Sequence, residues 1–153
     1  VFLNRSVYDG LAPVAAQVVM TQEAVHALTG AIGARQAPLW LVEGFADYVA
    51  LRDVDLPLTK TAGQVAAQVR KDGVPEALPP DSEFDPTASH LGGVYEAAWL
   101  VCVTLADHAG ERALVELYEQ VRDSGDLAAA LREHAGWTEP ELTAAWQERL
   151  RAL

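Results

Sequence analysis

The chain is poor in cysteine, in positive charge and in long apolar runs. It has one cysteine, Cys102, so no disulfide can form within the chain, and we expect the thiol to be a small buried hydrophobe. Lys and Arg number 11 against 22 Asp and Glu, which gives a net charge of −11. That sign excludes a nucleic-acid groove and disfavours anionic lipid. No apolar run approaches the roughly 18 residues of a membrane span, so no direct membrane insertion is expected.

The 153 residues predict one mainly helical domain that spans the whole of 1–153. Half of them are hydrophobic, and apolar residues recur at helical spacing. Proline and glycine mark the helix ends. The predicted helices cover about 13–30, 38–52, 61–71, 91–108, 111–122 and 126–134, with a last helix from the capping box at 138–141 onward.

Several local features carry their own expectations. The first helix is apolar over much of its circumference and is therefore expected in the middle of the fold. Thr61 is expected to cap the third helix. Gly44 lowers helix propensity by about 1 kcal/mol relative to alanine, which a close approach of another backbone or a metal site would explain. Residues 74–89 are proline-rich and predict a surface loop whose acidic side chains are solvated or form a lid.

The N-terminal residues suggest a piece of a longer protein. The chain starts at Val1 without methionine, inside a predicted short strand, Val1–Asn4, which cannot form a sheet alone. A turn is predicted at Ser6–Gly10. We expect a targeting segment to lie outside these residues. An extracytoplasmic location and a membrane anchor outside these residues are the two alternatives that the sequence leaves open.

Two segments carry reactive side chains at helical spacing. Gln22 and His26 are four residues apart and share a helix face, with Glu23 within reach. Such a pair can hold zinc, and the intervening glutamate can take a proton from metal-bound water. Glu43 and Asp47 are also four apart. Glu43 would complete a three-ligand site of Gln22, His26 and Glu43, and Asp47 would orient a ligand from outside it.

Together the two segments resemble the gluzincin zinc metallopeptidases, in particular the bacterial peptidase MA-like domains. The usual pattern is His-Glu-x-x-His followed by Trp-Leu-x-Glu-Gly-x-Ala-x-Tyr. The residues at those positions here are Gln22-Glu23-Ala24-Val25-His26 and Trp40-Leu41-Val42-Glu43-Gly44-Phe45-Ala46-Asp47-Tyr48. The likeness continues through the later helices and covers roughly residues 10–150.

The resemblance implies a cofactor, a substrate and roles for several residues. Zinc would be bound by His26 and Glu43, with Glu23 as general base and Asp47 as the outer partner of the first ligand. An oxyanion-stabilising group would come from a later helix, with Tyr95 as first candidate and His90 as second. The substrate would be a peptide or protein. The implied fold is the zinc helix and C-terminal helices of a gluzincin, with little or no N-terminal sheet.

Gln22 departs from the pattern and decides how much activity is expected. A neutral amide is a poorer zinc donor than imidazole, so we predict weak or absent zinc binding and impaired or absent hydrolysis. Gln22 could instead bond Asp47 without a metal. The alternatives are a weakened peptidase, a pseudo-peptidase that serves as a binding or scaffold module, and a plain helical interaction domain with an accidental motif. The plain helical interaction domain would be favoured if the ligand atoms of His26 and Glu43 were more than about 8 Å apart, because two ligands of one zinc ion lie much closer together.

The later candidates have ordinary interpretations as well. Tyr95 could be a core aromatic residue with a partnered hydroxyl group, and His90 could be a loop histidine.

Overall fold

Helices make up most of the chain in a computed structural model that describes residues 12–30 and 36–153. Eight are α-helical: α1 (Pro13–Thr29), α2 (Leu39–Leu51), α3 (Leu58–Thr61), α4 (Gly63–Asp72), α5 (Leu91–Ala109), α6 (Glu111–Ser124), α7 (Leu127–Ala130) and α8 (Glu139–Arg151). A 3-10 turn covers Asp81–Glu83 and a π-helical turn covers Leu131–Ala135. No strand occurs in these ranges, so the mainly helical prediction is confirmed. The predicted strand and turn before residue 11 lie outside the described residues.

The predicted helix ends follow from residues within one turn of each end. Pro13 occupies the first turn of α1, where its missing N–H costs nothing. Gly30 ends α1 in the left-handed region, at φ +66°, and its N–H donates to the carbonyl of His26. The capping box at the start of α8 is present, with the Thr138 N–H donating to Glu141 Oε2 at 2.7 Å.

The core is built around α5. This helix packs along α2 and also contacts α4, α6 and α8. Trp146 of α8 is fully buried, and its indole Nε1 donates to the carbonyl oxygen of Ala97 at 3.1 Å. Cys102 is completely buried in the same core, as expected from the sequence. None of the described helices is both long enough and apolar enough to cross a lipid bilayer.

Gly44 lies where α2 and α5 cross. A Cβ atom on Gly44 would lie 2.7 Å from the carbonyl carbon of Ala98 and 3.1 Å from the Cys102 sulfur. The two helix backbones could not approach this closely with any larger residue at position 44. The prediction of a close backbone approach at Gly44 is therefore confirmed.

The expectation that α1 is central was wrong. Val25 is its only buried residue, whereas Val14, Met20 and Leu28 are 44%, 40% and 87% exposed. An apolar circumference shows what a helix could bury, but the neighbouring elements decide what it does bury. Among the described residues, α2 is the helix that α1 contacts extensively, and Val25 is the α1 residue buried there.

The expected Thr61 cap was also wrong. Thr61 ends the single turn α3, and Ala62 precedes α4 without a side-chain cap. The free N–H groups at the start of α4 are bound instead by Glu96 of α5, whose Oε2 accepts from Gln64 and Val65 at 2.8 Å each. Burial raises the pKa of the Glu96 carboxyl group, and these hydrogen bonds oppose that effect.

We expect Glu96→Ala to lower the free energy of unfolding by about 2 kcal/mol, because two helix-terminal N–H groups lose a charged acceptor. Urea denaturation followed by circular dichroism measures the change. Glu119→Ala, on an exposed position of α6, is the control and should stay within about 0.5 kcal/mol of the native chain. Equal stabilities for the two variants would contradict the capping role.

The 74–89 loop is fixed to the helices at several points. Leu78 and Pro79 are buried. The Pro75 carbonyl accepts from Gln147 of α8 at 2.7 Å. Asp81 Oδ1 accepts from the N–H of Leu39 at 2.8 Å and so caps α2, because Pro38 has no side-chain acceptor. Asp81 is exposed to solvent, as expected of the loop's acidic residues, and has this capping role in addition.

Candidate functional site

One face of α1 is turned toward α2. Residues 22, 25, 26 and 29 are spaced i, i+3, i+4 and i+7, so they lie on one face of the helix. Val25 is buried on this face. Thr29 Oγ1 accepts a hydrogen bond from the hydroxyl group of Tyr118 at 3.1 Å. This orientation leaves Gln22 and His26 facing the next helix.

Two side-chain pairs join α1 to α2. Gln22 Nε2 donates a hydrogen bond to Asp47 Oδ1. His26 Nε2 lies 3.3 Å from Glu43 Oε2. The members of each helix are four residues apart, so the two pairs lie side by side. The sequence had left open a Gln22–Asp47 bond, and the structure contains it.

A pocket of about 270 Å³ opens beside these pairs, lined by Gln22, Glu23, His26, Glu43 and Tyr95. Tyr95 reaches it from α5, so three helices contribute to the pocket.

His90 is not brought to this pocket. It precedes α5 and lines a separate groove of about 580 Å³ between α4, the 74–89 loop and α5. Since a helix turns by about 100° per residue, positions 90 and 95 point in different directions. Of the two candidates for the oxyanion-stabilising group, only Tyr95 therefore lines this pocket.

Burial and charge set the protonation of the site. Asp47 is only 6% exposed, and this burial raises the pKa of its carboxyl group to about 7 despite the Gln22 bond. The hydrogen bond to Glu43 raises the pKa of His26, against the effect of burial. Burial, with the charges of Glu43 and Asp47, raises the pKa of Tyr95 to about 12. The Tyr95 hydroxyl group therefore keeps its proton at neutral pH.

Two of the donors fit a zinc ion by position. Ligand atoms about 2.0–2.1 Å from a tetrahedral zinc stand roughly 3.3 Å apart. The separation of His26 Nε2 and Glu43 Oε2 is 3.3 Å.

Within the described residues, every buried polar side-chain atom already has a hydrogen-bond partner. No buried donor there requires an ion.

The third donor does not fit. Gln22 Nε2 is bonded to Asp47, which leaves only the Gln22 Oε1 atom to bind. A neutral amide oxygen is a weak zinc ligand. No three His, Cys, Asp or Glu side chains converge as a metal site in residues 12–30 and 36–153. The donor set therefore falls short of the three-ligand zinc site implied by the resemblance.

One residue next to the site, Phe84, could not be recognised from any pattern in the sequence. The Phe84 ring packs edge-to-face on Tyr95, with centroids 5.6 Å apart and an interplanar angle of 84°. Phe84 belongs to the 74–89 loop, and no spacing rule links it to Tyr95.

Comparisons of the chain with protein-family models, with curated proteins and with solved structures found no match.

Proposed function

We propose that the chain is a gluzincin-like peptidase domain whose zinc site is impaired by Gln22, so that peptide hydrolysis is weak or absent. The observation that supports this is the 3.3 Å separation of His26 Nε2 and Glu43 Oε2, which come from different helices. An accidental motif predicts no such convergence. Glu23 and Tyr95 line the same pocket, which adds the side chains that hydrolysis needs.

The residues would divide the chemistry as follows. His26 and Glu43 would be the residues that hold zinc, which would supply a Lewis acid for a carbonyl group and an acidic water if it were bound. The Glu23 carboxylate is a proton acceptor at the pocket wall. Tyr95 keeps its proton, since the pKa of its hydroxyl group is about 12. It can therefore donate a hydrogen bond to an oxygen that gains negative charge.

The second candidate is a pseudo-peptidase that acts as a binding or scaffold module. The observation that favours it is the pairing of Gln22 with Asp47 and of His26 with Glu43. Each side chain has a protein partner, so the pocket needs no ion to keep its shape. A peptide could then bind there without being cleaved.

Zinc titration of the metal-stripped chain tests the proposal. Gln22→His should bind one zinc per chain at least about 100-fold more tightly than the native chain, because it restores a lost ligand. Gln17→His is the matched control, since Gln17 is an exposed position of the same helix and lies outside the pocket. Isothermal titration calorimetry gives affinity and stoichiometry, and a quenched fluorescent peptide library gives hydrolysis.

The outcomes separate the alternatives. Gln22→His that binds zinc no better than Gln17→His would contradict the proposed zinc site. A native chain that binds one zinc tightly and cleaves peptides would contradict the proposed impairment. Zinc binding by Gln22→His without hydrolysis would favour the pseudo-peptidase.

A further inference from the structure

Apolar packing holds α1 only weakly. Val25, at 8% exposed, is the one buried residue in 17. An apolar groove of about 450 Å³ lies beside the first half of α1, with Leu51 and Leu56 on its far wall. The stabilisation of a helix in a protein comes mostly from the apolar face that it buries. Among the described residues, polar contacts are therefore expected to contribute to the attachment of α1 to α2 alongside its half-buried apolar side chains.

Those contacts are polar and lie in the second half of α1. The Gln22–Asp47 hydrogen bond involves a carboxyl group that is 6% exposed. In a closed chain without the Gln22 amide, the Asp47 carboxyl group would stay buried without this partner, which is costly and destabilises the closed position of α1. The His26 and Glu43 side chains are 21% and 24% exposed, so solvent screens that pair more strongly. The Gln22–Asp47 bond is therefore the stronger of the two pairs.

We propose that the Gln22–Asp47 and His26–Glu43 pairs form a metal-independent clasp that controls how often α1 opens away from α2. The resemblance implies an ion that bridges these two helices. In this chain the amide of Gln22 and the carboxyl group of Asp47 make the bridge directly. The inference concerns the metal-free chain and does not depend on whether any variant binds zinc.

The clasp makes α1 a separate opening unit. The core around α5 is completed by α2, α4, α6 and α8, so it can stay folded when α1 opens. Because the pocket is lined by Gln22, Glu23 and His26 from α1, each opening also exposes its α2 and α5 walls. Weakening the clasp should raise the open population of α1 without changing that of α5.

Native-state hydrogen exchange read by mass spectrometry tests the clasp, with EDTA present. In Gln22→Leu the amides of 13–29 should exchange about 10- to 100-fold faster than in the native chain. Those of 91–109 should be unchanged. Gln17→Leu makes the same substitution at an exposed position of α1 and should match the native chain. Gln22→Ala, which removes the amide altogether, is the second variant if Gln22→Leu does not fold.

Three results would overturn the clasp. In the first, α1 exchanges at the native rate in Gln22→Leu. In the second, α1 and α5 are accelerated by the same factor, which shows global unfolding. In the third, Gln17→Leu accelerates exchange in α1 as much as Gln22→Leu does, so that the effect does not come from the clasp. None of these results depends on peptide hydrolysis or on Gln22→His.

Discussion

Replacing Gly44 with alanine should lower the free energy of unfolding by about 3 kcal/mol, the cost of overpacking a tight core position. The added Cβ would meet the backbone carbonyl of Ala98, which belongs to the central helix and cannot rotate away as a side chain can. Either α2 and α5 separate or one of them bends. In a chain of this size the melting temperature should fall by roughly 10 °C.

Gly63→Ala is the matched control for this experiment. Gly63 is also helical, but a Cβ there would meet nothing within 4 Å. The alanine should therefore leave stability unchanged or raise it by up to about 1 kcal/mol. Urea denaturation followed by circular dichroism measures both variants. A Gly44→Ala chain within about 0.5 kcal/mol of native would show that the two helices do not meet as closely as described.

Replacing Asp47 with asparagine should stabilise the chain relative to the native chain, and this gain should be larger at pH 8 than at pH 4.5. Burial raises the pKa of Asp47 from 3.8 to about 7, so the folded chain holds this proton more tightly than the unfolded chain. The group therefore contributes stability below its unfolded pKa, and that contribution is lost as the pH rises to about 7. Asparagine keeps an oxygen to accept from Gln22 but never ionises.

The stability difference between Asp47→Asn and the native chain should increase in favour of the variant from pH 4.5 to 8. The increase should be up to roughly 3 kcal/mol, because about 2.5 pH units of the shift lie above pH 4.5. Urea denaturation at one-unit steps, in EDTA, measures it. Gln17→Asn, at an exposed position that carries no titratable group, is the control and should give a difference that does not vary with pH. A flat profile for Asp47→Asn would contradict the raised pKa.

Features that depend on nearby residues could be predicted from the sequence. Pro13, Gly30 and the Thr138 capping box act within one helical turn, so their effects are the same in any fold. Gly44 was also informative, since a helix that gives up propensity must gain something in packing. In each case one residue type limited the backbone to few conformations.

Features that depend on distant residues could not be predicted. The cap of α4 comes from Glu96, 32 residues after Gln64 in the chain. No pattern around Thr61 could have shown this. Likewise, the apolar residues of α1 did not reveal that Met20 and Leu28 face outward. The position of a helix in the core depends on which elements are available to cover it.

The candidate site falls between these cases. The four-residue spacing placed Gln22 beside His26 and Glu43 beside Asp47, because it depends only on helix geometry. That Gln22 pairs with Asp47 and His26 with Glu43 depends on how the two helices pack, which the spacing does not predict. The sequence offered His90 and Tyr95 as alternatives for one role, and the rotation of α5 brings only Tyr95 to the pocket.

The single thiol of the chain, Cys102, lies at the crossing of α2 and α5, so the rate of its alkylation reports how often the chain unfolds completely. Burial raises the pKa of Cys102, and the thiolate is the form that reacts with alkylating agents. A reagent can reach this sulfur only when the two innermost helices separate. The alkylation rate of Cys102 therefore measures complete unfolding, whereas hydrogen exchange in residues 13–29 measures the local opening of α1. Both can be measured on the same protein.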